Sequence, residues 1–258
     1  MRIWWQSSIA LNRDPVWNEY EQSLKNHVQK VARPDTIVDI HGVKIMTPGT
    51  ENCHYFEDLN TLQVVDNAIH AEREGYDVFV FGHGLDSGSL GIRQIVDIPV
   101  LFGAETPCLL ACLLSPNFSL IGFNTAALLR AEEWVRRYGL QERYVRGGCF
   151  QIDLVQLQQG FTNPDSVITL ATKAAREIIK QGACMLIPSC MSLNMIFAKS
   201  GVKDIDGVPI LDTAAALVKT AELMVDLKAI GISRSKSGLY APVSKEELTQ
   251  VRKLYGVG

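Results

Sequence analysis

The stretch Gly75-Tyr76-Asp77-Val78-Phe79-Val80-Phe81-Gly82-His83-Gly84 decides the fold, because its pattern returns 107 positions later as Gly182-Ala183-Cys184-Met185-Leu186-Ile187-Pro188-Ser189-Cys190. In each, an amphipathic run ends at a glycine suited to a helix C-terminal turn. A short, uninterrupted apolar run follows, which is how a strand buried on both faces reads. Each run then breaks into small and polar residues, one carrying His83 and the other Cys190 at the same place. Further on, Asp97-Ile98-Pro99-Val100-Leu101 is echoed by Gly207-Val208-Pro209-Ile210-Leu211 after a three-residue insertion. Two matches in order, both at the edges of apolar runs, point to an internal duplication.

Working outward, apolar runs alternate with helical patterns, the signature of parallel α/β structure. Strands are expected at Met1–Trp5, Ile37–Ile40, Asp77–Phe81 and Pro99–Phe102. In the second half they are expected at Phe118–Gly122, near Arg143–Val145, at Ala183–Ile187 and at Pro209–Leu211. Helices are expected over Pro15–Val31, Thr61–Glu74, Pro107–Leu114, Ala126–Tyr138, Pro164–Gln181, Thr213–Ile230 and Lys245–Tyr255. Trp17, Tyr20, Leu24 and Val28 share one face of the first helix. The segments His41–Asn60 and Phe150–Thr162 read as loops. The fold class is therefore α/β, with two pseudo-symmetric parallel-sheet lobes and an active site in the cleft between them. The first lobe takes residues 1–115 together with 215–258, and the second takes 116–214.

With 258 residues, 47% of them hydrophobic, the chain can bury a sizeable core. A net charge of −3 offers no basic footprint for nucleic acid. No apolar run reaches the roughly 18 residues that a membrane helix needs. The first residues lack the apolar stretch of a secretory signal, so the cytoplasm is the expected compartment. Six cysteines without CxxC spacing suggest neither a disulfide framework nor a metal site. GxGxxG and P-loop patterns are missing as well, so no cofactor and no metal are expected. A small molecule is the expected partner, and a homo-oligomer is left open.

In open parallel sheets ligands bind beyond the carboxyl ends of the strands. Gln6, Ser7, His83, Gly84, Asn124, Thr125, Ser189, Cys190 and Met191 all fall at such ends. Cys190 is set against the ordinary fate of free cysteine, burial as a small hydrophobe. Its place between a strand and a helix start favours chemistry, since helix N-terminal amides lower a thiol's pKa. His83, flanked by glycines, reads as an accessible ring with a pKa near 6.5, suited to proton transfer. If the halves face one another, Cys190 and His83 approach one substrate from opposite sides. Gln6, Ser7, Asn124, Thr125 and Ser189 offer side chains for binding, beside Gly84 and Met191; capping and turn formation compete for the same polar residues.

The chain resembles the aspartate/glutamate racemase superfamily, and within it the hydantoin racemase group. The resemblance is carried by Gly75-Tyr76-Asp77, Asp86-Ser87-Gly88, Asp97-Ile98-Pro99-Val100, Ala104-Glu105 and Leu109–Leu114. It continues through Val135–Leu140, Ser189-Cys190-Met191 and Pro209–Leu217. It implies two pseudo-symmetric lobes and a cofactor-independent site with one acid/base residue from each. Racemases of this family carry cysteine at both places, whereas here the first is His83. The resemblance thus implies racemization at an acidic carbon alpha to a carbonyl, in a hydantoin-like ring, an amino acid or a related carboxylate. A thiolate–imidazolium pair, with Cys190 removing the proton and His83 returning one, is the expected resting form. A one-cysteine lyase of the arylmalonate decarboxylase kind and a cysteine-nucleophile isomerase or hydrolase stay open beside it.

Overall fold

The computed structural model describes residues 1–257 apart from 12 and 48. In chain order the first half contributes β1 (Arg2–Gln6), α1 (Asn18–Val31), β2 (Ile37–His41), α2 (His54–Arg73), β3 (Val78–Phe81), α3 (Ser89–Ile95), β4 (Val100–Phe102) and α4 (Glu105–Leu114). The second half contributes β5 (Ser119–Gly122), α5 (Thr125–Arg137), β6 (Gly148–Cys149), α6 (Leu154–Gln159), α7 (Pro164–Lys180), β7 (Leu186–Pro188) and α8 (Met191–Ser200). A two-stranded hairpin, β8 (Asp204–Ile205) with β9 (Val208–Pro209), precedes α9 (Thr213–Ala229) and α10 (Lys245–Leu254).

The two sheets have matching orders, which gives the duplication a physical form. The first is β2-β1-β3-β4 and the second is β6-β5-β7, every pairing within them parallel. Leu186 also bridges Ile210 in parallel, with the Leu211 amide donating to the Leu186 carbonyl at 2.8 Å. Ile210 therefore stands beside β7 where β4 stands beside β3. The chain is α/β with two parallel-sheet halves. Every residue of β3 and of β7 is buried, as the unbroken apolar runs require. Helix α1 buries Tyr20, Leu24 and Val28, while Trp17 belongs to a preceding 3-10 turn that Asp14 caps through the Val16 amide. Helix α9 crosses back to pack on β3, β4, α1 and α4.

Several expectations are corrected. Helix α2 begins at His54, seven residues before Thr61, with Cys53 extended at its N-terminal boundary. Segments read as connections hold two further helices, α3 and α6, while the helix start expected after Cys190 runs on as α8 to Ser200; α6 is started by a full capping box between Asp153 and Gln156. The strand expected near Arg143–Val145 is only an isolated bridge from Tyr144 to Phe118, and the paired strand is β6 at Gly148–Cys149. Tyr144 turns its hydroxyl inward to donate to the buried Glu132. The strand expected at Pro209–Leu211 is divided, Pro209 pairing in β9 and Ile210 only bridging Leu186, because Asp206 and Gly207 just before it both take positive φ, 51° and 81°. That backbone closes a tight hairpin instead.

Candidate active site

β3 and β7 end side by side, and the chain just beyond them makes the site. Glycine is required at that junction. A Cβ built on Gly84 would lie 2.0 Å from the carbonyl oxygen of Ser189. The backbone after β3 thus touches the backbone after β7 directly. Gly103 closes on the other side, where a Cβ would meet the His83 carbonyl oxygen at 2.1 Å. Gly82 lies against the Trp5 indole, whose ring atoms a Cβ would meet at 2.4 Å. The His83 backbone is therefore packed against Gly103 after β4, and its neighbour Gly84 against the chain after β7.

A cavity of about 90 Å³ opens at this junction. His83, Gly84 and Leu85 line it from the first half, with Ser189, Cys190, Met191 and Ser192 from the second. Ser7 and Ser8 follow β1, and Phe123 follows β5. Trp17 and Tyr20 form an aromatic wall, and Met46, Thr47, Thr50 and Glu51 come from the segment between β2 and α2. Leu154 of α6 completes the apolar side. Both segments read as loops in the sequence thus reach the cavity.

Of the nine residues expected at the site, the structure brings six together: Ser7, His83, Gly84, Ser189, Cys190 and Met191. Gln6, Asn124 and Thr125 do not line the cavity, and each has a structural task. Gln6 is fully buried, accepting from Trp4 Nε1 and Asn67 Nδ2 and donating to the Ser7 carbonyl. Asn124 caps α5, its side-chain oxygen accepting from the Ala127 amide at 2.8 Å. Thr125 Oγ1 accepts from Gln151 Nε2 beside Cys149 Sγ.

The electrostatics reverse the resting state expected from sequence. His83 is half-buried against Phe81, with ring centroids 5.4 Å apart. Burial pulls its pKa down to about 4, outweighing its bond to Leu85, so the ring is neutral at neutral pH. Its Nδ1 lies 3.3 Å from both the amide nitrogen and the carbonyl oxygen of Leu85. Among the described residues, Nε2 has no protein partner. Cys190 sits at the N-terminal boundary of α8 with extended backbone, φ −131° and ψ 134°. Burial raises its thiol pKa, against the lowering effect of the Leu193 and Ser192 amides and the Ser192 hydroxyl; the Glu51 carboxylate adds to the rise. The helix start acts as anticipated, but desolvation exceeds it. A neutral imidazole and a neutral thiol replace the expected ion pair.

Sequence reading did not single out Tyr20, Ser192 or Glu51. The buried face of α1 contained a signal for Tyr20, whose hydroxyl bonds with Ser7 and lies near Cys190. Glu51 had none, since only the fold brings it to the cavity. All six cysteines are free, and among the described residues no helix is long and apolar enough to cross a membrane.

With this geometry in hand, the comparisons fall on one group. A family model described as Asp/Glu/Hydantoin racemase matches residues 18–221. The chain is 27% identical over 236 residues to a hydantoin racemase of a Pseudomonas species, covering 91% of each protein. It is 26% identical over 232 residues to the hydantoin racemase of Paenarthrobacter aurescens, covering 88% of this chain and 94% of that one. Among solved structures it is similar to allantoin racemase from Klebsiella pneumoniae, at a TM-score of 0.80 and 20% identity over 95% of this chain and 94% of that one.

Proposed function

The chain belongs to the Asp/Glu/hydantoin racemase family, a family of isomerases, and from that premise we propose that it inverts an acidic carbon alpha to a carbonyl in a small substrate. Cys190 and His83 are the two proton carriers in this reading, and the substrate is a hydantoin-like ring. The observation that supports it most is that His83 and Cys190, equivalent positions of a duplicated chain, line one cavity from its two halves. We divide the chain into lobes accordingly, 1–115 with 215–258 and 116–214.

Racemization needs one group able to accept a proton and another able to donate one, on opposite faces of the carbon. A neutral imidazole and a neutral thiol meet that count. His83 Nε2 takes the proton from the substrate C–H, and the bond's electrons move into the carbonyl to form an enolate. Cys190 then delivers its S–H proton to the other face. The product has inverted, His83 is imidazolium and Cys190 is thiolate. The Ser192 and Leu193 amides, which already lower the thiol's pKa, hold that thiolate. The opposite enantiomer runs the same steps backward from the thiolate–imidazolium form. Ser7, Gly84, Ser189 and Met191 contact the bound ring in this reading, with backbone amides at the strand ends facing the enolate oxygen.

The test pairs two variants, Cys190→Ser and His83→Gln, with an enantiopure 5-substituted hydantoin followed by optical rotation. Each variant is expected to lose racemization by about 10²–10⁴-fold, the usual weight of a general acid or base, while circular dichroism of the protein stays unchanged. Wild-type turnover in either variant removes that residue from the reaction.

A further inference from the structure

Glu51 is the one formally charged side chain among the described residues lining the cavity, and none of those lining residues is a lysine or arginine. The cation that reaches the neighbouring Thr50 is committed elsewhere. Arg130 on α5 donates from Nη1 to the Thr50 carbonyl at 3.3 Å. Its Nη2 pairs with the carboxylate of Glu57 on α2, which also accepts from Ser87 Oγ in the loop after His83. Thr50 is thereby held by a side chain that does not line the cavity, and its neighbour Glu51 does line it. Among the described residues Glu51 keeps one hydrogen bond, from its neighbour Asn52 Nδ2 at 3.3 Å. Its charge reaches Cys190, where it adds to the rise in the thiol's pKa.

A carboxylate without a cation, beside the reacting centre in a cavity walled by Trp17, Tyr20, Phe123 and Met191, has two consequences. A second negative charge brought there meets repulsion that low-dielectric walls strengthen. An N–H brought there gains a charge-assisted hydrogen bond. We propose that Glu51 is a specificity-determining residue: it accepts a hydrogen bond from a substrate N–H next to the reacting carbon and excludes substrates that carry a carboxylate at that end. The substrates it selects are neutral, N–H-bearing carbonyl compounds such as cyclic ureides, and those it rejects are free acidic amino acids and rings with an anionic substituent. The assignment of Cys190 and His83 as proton carriers underlies the word substrate here; the binding claim itself rests on the cavity's charge.

The experiment therefore reads binding without turnover. Unsubstituted hydantoin and hydantoin-5-acetic acid are titrated at pH 8 as protectants of Cys190 against iodoacetamide, with labelling of the Cys190 peptide followed by mass spectrometry. Wild-type protein is expected to need at least about tenfold more of the acid than of hydantoin, equivalent to about 1.4 kcal/mol. Glu51→Gln is expected to shrink that ratio by at least about tenfold, and Glu51→Asp to keep most of it, which separates charge from loop folding. An equal ratio in wild type and Glu51→Gln, or protection by neither ligand, overturns the proposal. Charge-dependent protection in a chain that never exchanges the substrate proton would sustain Glu51 and defeat the racemase reading. Racemization with an unchanged ratio would do the reverse.

Discussion

Gly84→Ala tests the junction on which the site is built. The new Cβ would sit 2.0 Å from the Ser189 carbonyl oxygen and 3.0 Å from its carbon. Both are backbone atoms, so no side-chain rotation relieves the contact. Carbon–oxygen contacts settle at about 3.3 Å, and the two strand ends must therefore part by about 1.3 Å. Overpacking of this kind costs about 1–3 kcal/mol, which in a chain of this size lowers the melting temperature by roughly 2–12 °C. The catalytic effect should be larger than the loss of stability implies. His83 and Cys190 adjoin the two atoms being driven apart, and a displacement of about 1 Å costs on the order of 10²-fold in rate. Urea unfolding gives the first quantity and hydantoin racemization the second. Gly91→Ala is the control: it lies inside α3 with nothing within 4 Å of a built Cβ, so it should be neutral or stabilise by up to about 1 kcal/mol. Wild-type stability and turnover in Gly84→Ala would refute the contact between the strand ends.

Two further perturbations reach the same region. His83 takes up its proton near pH 4 when folded and near 6.5 when unfolded, so between those values the unfolded chain holds more protons. Its contribution to stability is complete above pH 6.5 and is lost as pH falls toward 4, by about 3 kcal/mol at the lower end. Asp86, raised to about 7 by burial, has the opposite slope but is common to both proteins, so wild type minus His83→Gln isolates the histidine; parallel stability–pH curves for the two would contradict its low pKa. Arg130→Met leaves Glu57 buried without its cation, which should cost about 3–5 kcal/mol in urea unfolding. A change below 1 kcal/mol would show that the Glu57–Arg130 pair does not hold the two halves together.

The strands were legible because parallel strands covered on both faces leave continuous apolar runs, and 78–81 and 186–188 are such runs. The repeat then placed His83 and Cys190 at equivalent strand ends without any knowledge of the cleft. Adjacent residues there were harder to separate. Gln6 and Ser7 are consecutive, yet Gln6 ends β1 with its side chain buried, and only Ser7, just past the strand, lines the cavity. Asn124 shows the same limit, since a capping residue and a binding residue look alike at a strand-to-helix turn. The buried face of α1 marks Tyr20 as inward-facing, but Glu51 comes from a connection distant in sequence with no local pattern to mark it. Protonation was the other hidden quantity. The helix start that favours a Cys190 thiolate is visible in sequence, whereas the burial that outweighs it depends on the assembled walls.

The proposed reaction removes a proton from one face of a carbon and delivers one to the other. The direct measurement is to incubate each pure enantiomer of a 5-alkyl hydantoin in deuterium oxide and follow circular dichroism and mass together. Both enantiomers are expected to lose their optical signal to the same racemic end point, and the inverted product is expected to carry one solvent deuterium at the ring carbon. Retained configuration, deuterium uptake without inversion, or release of carbon dioxide or a ring-opened acid would contradict it.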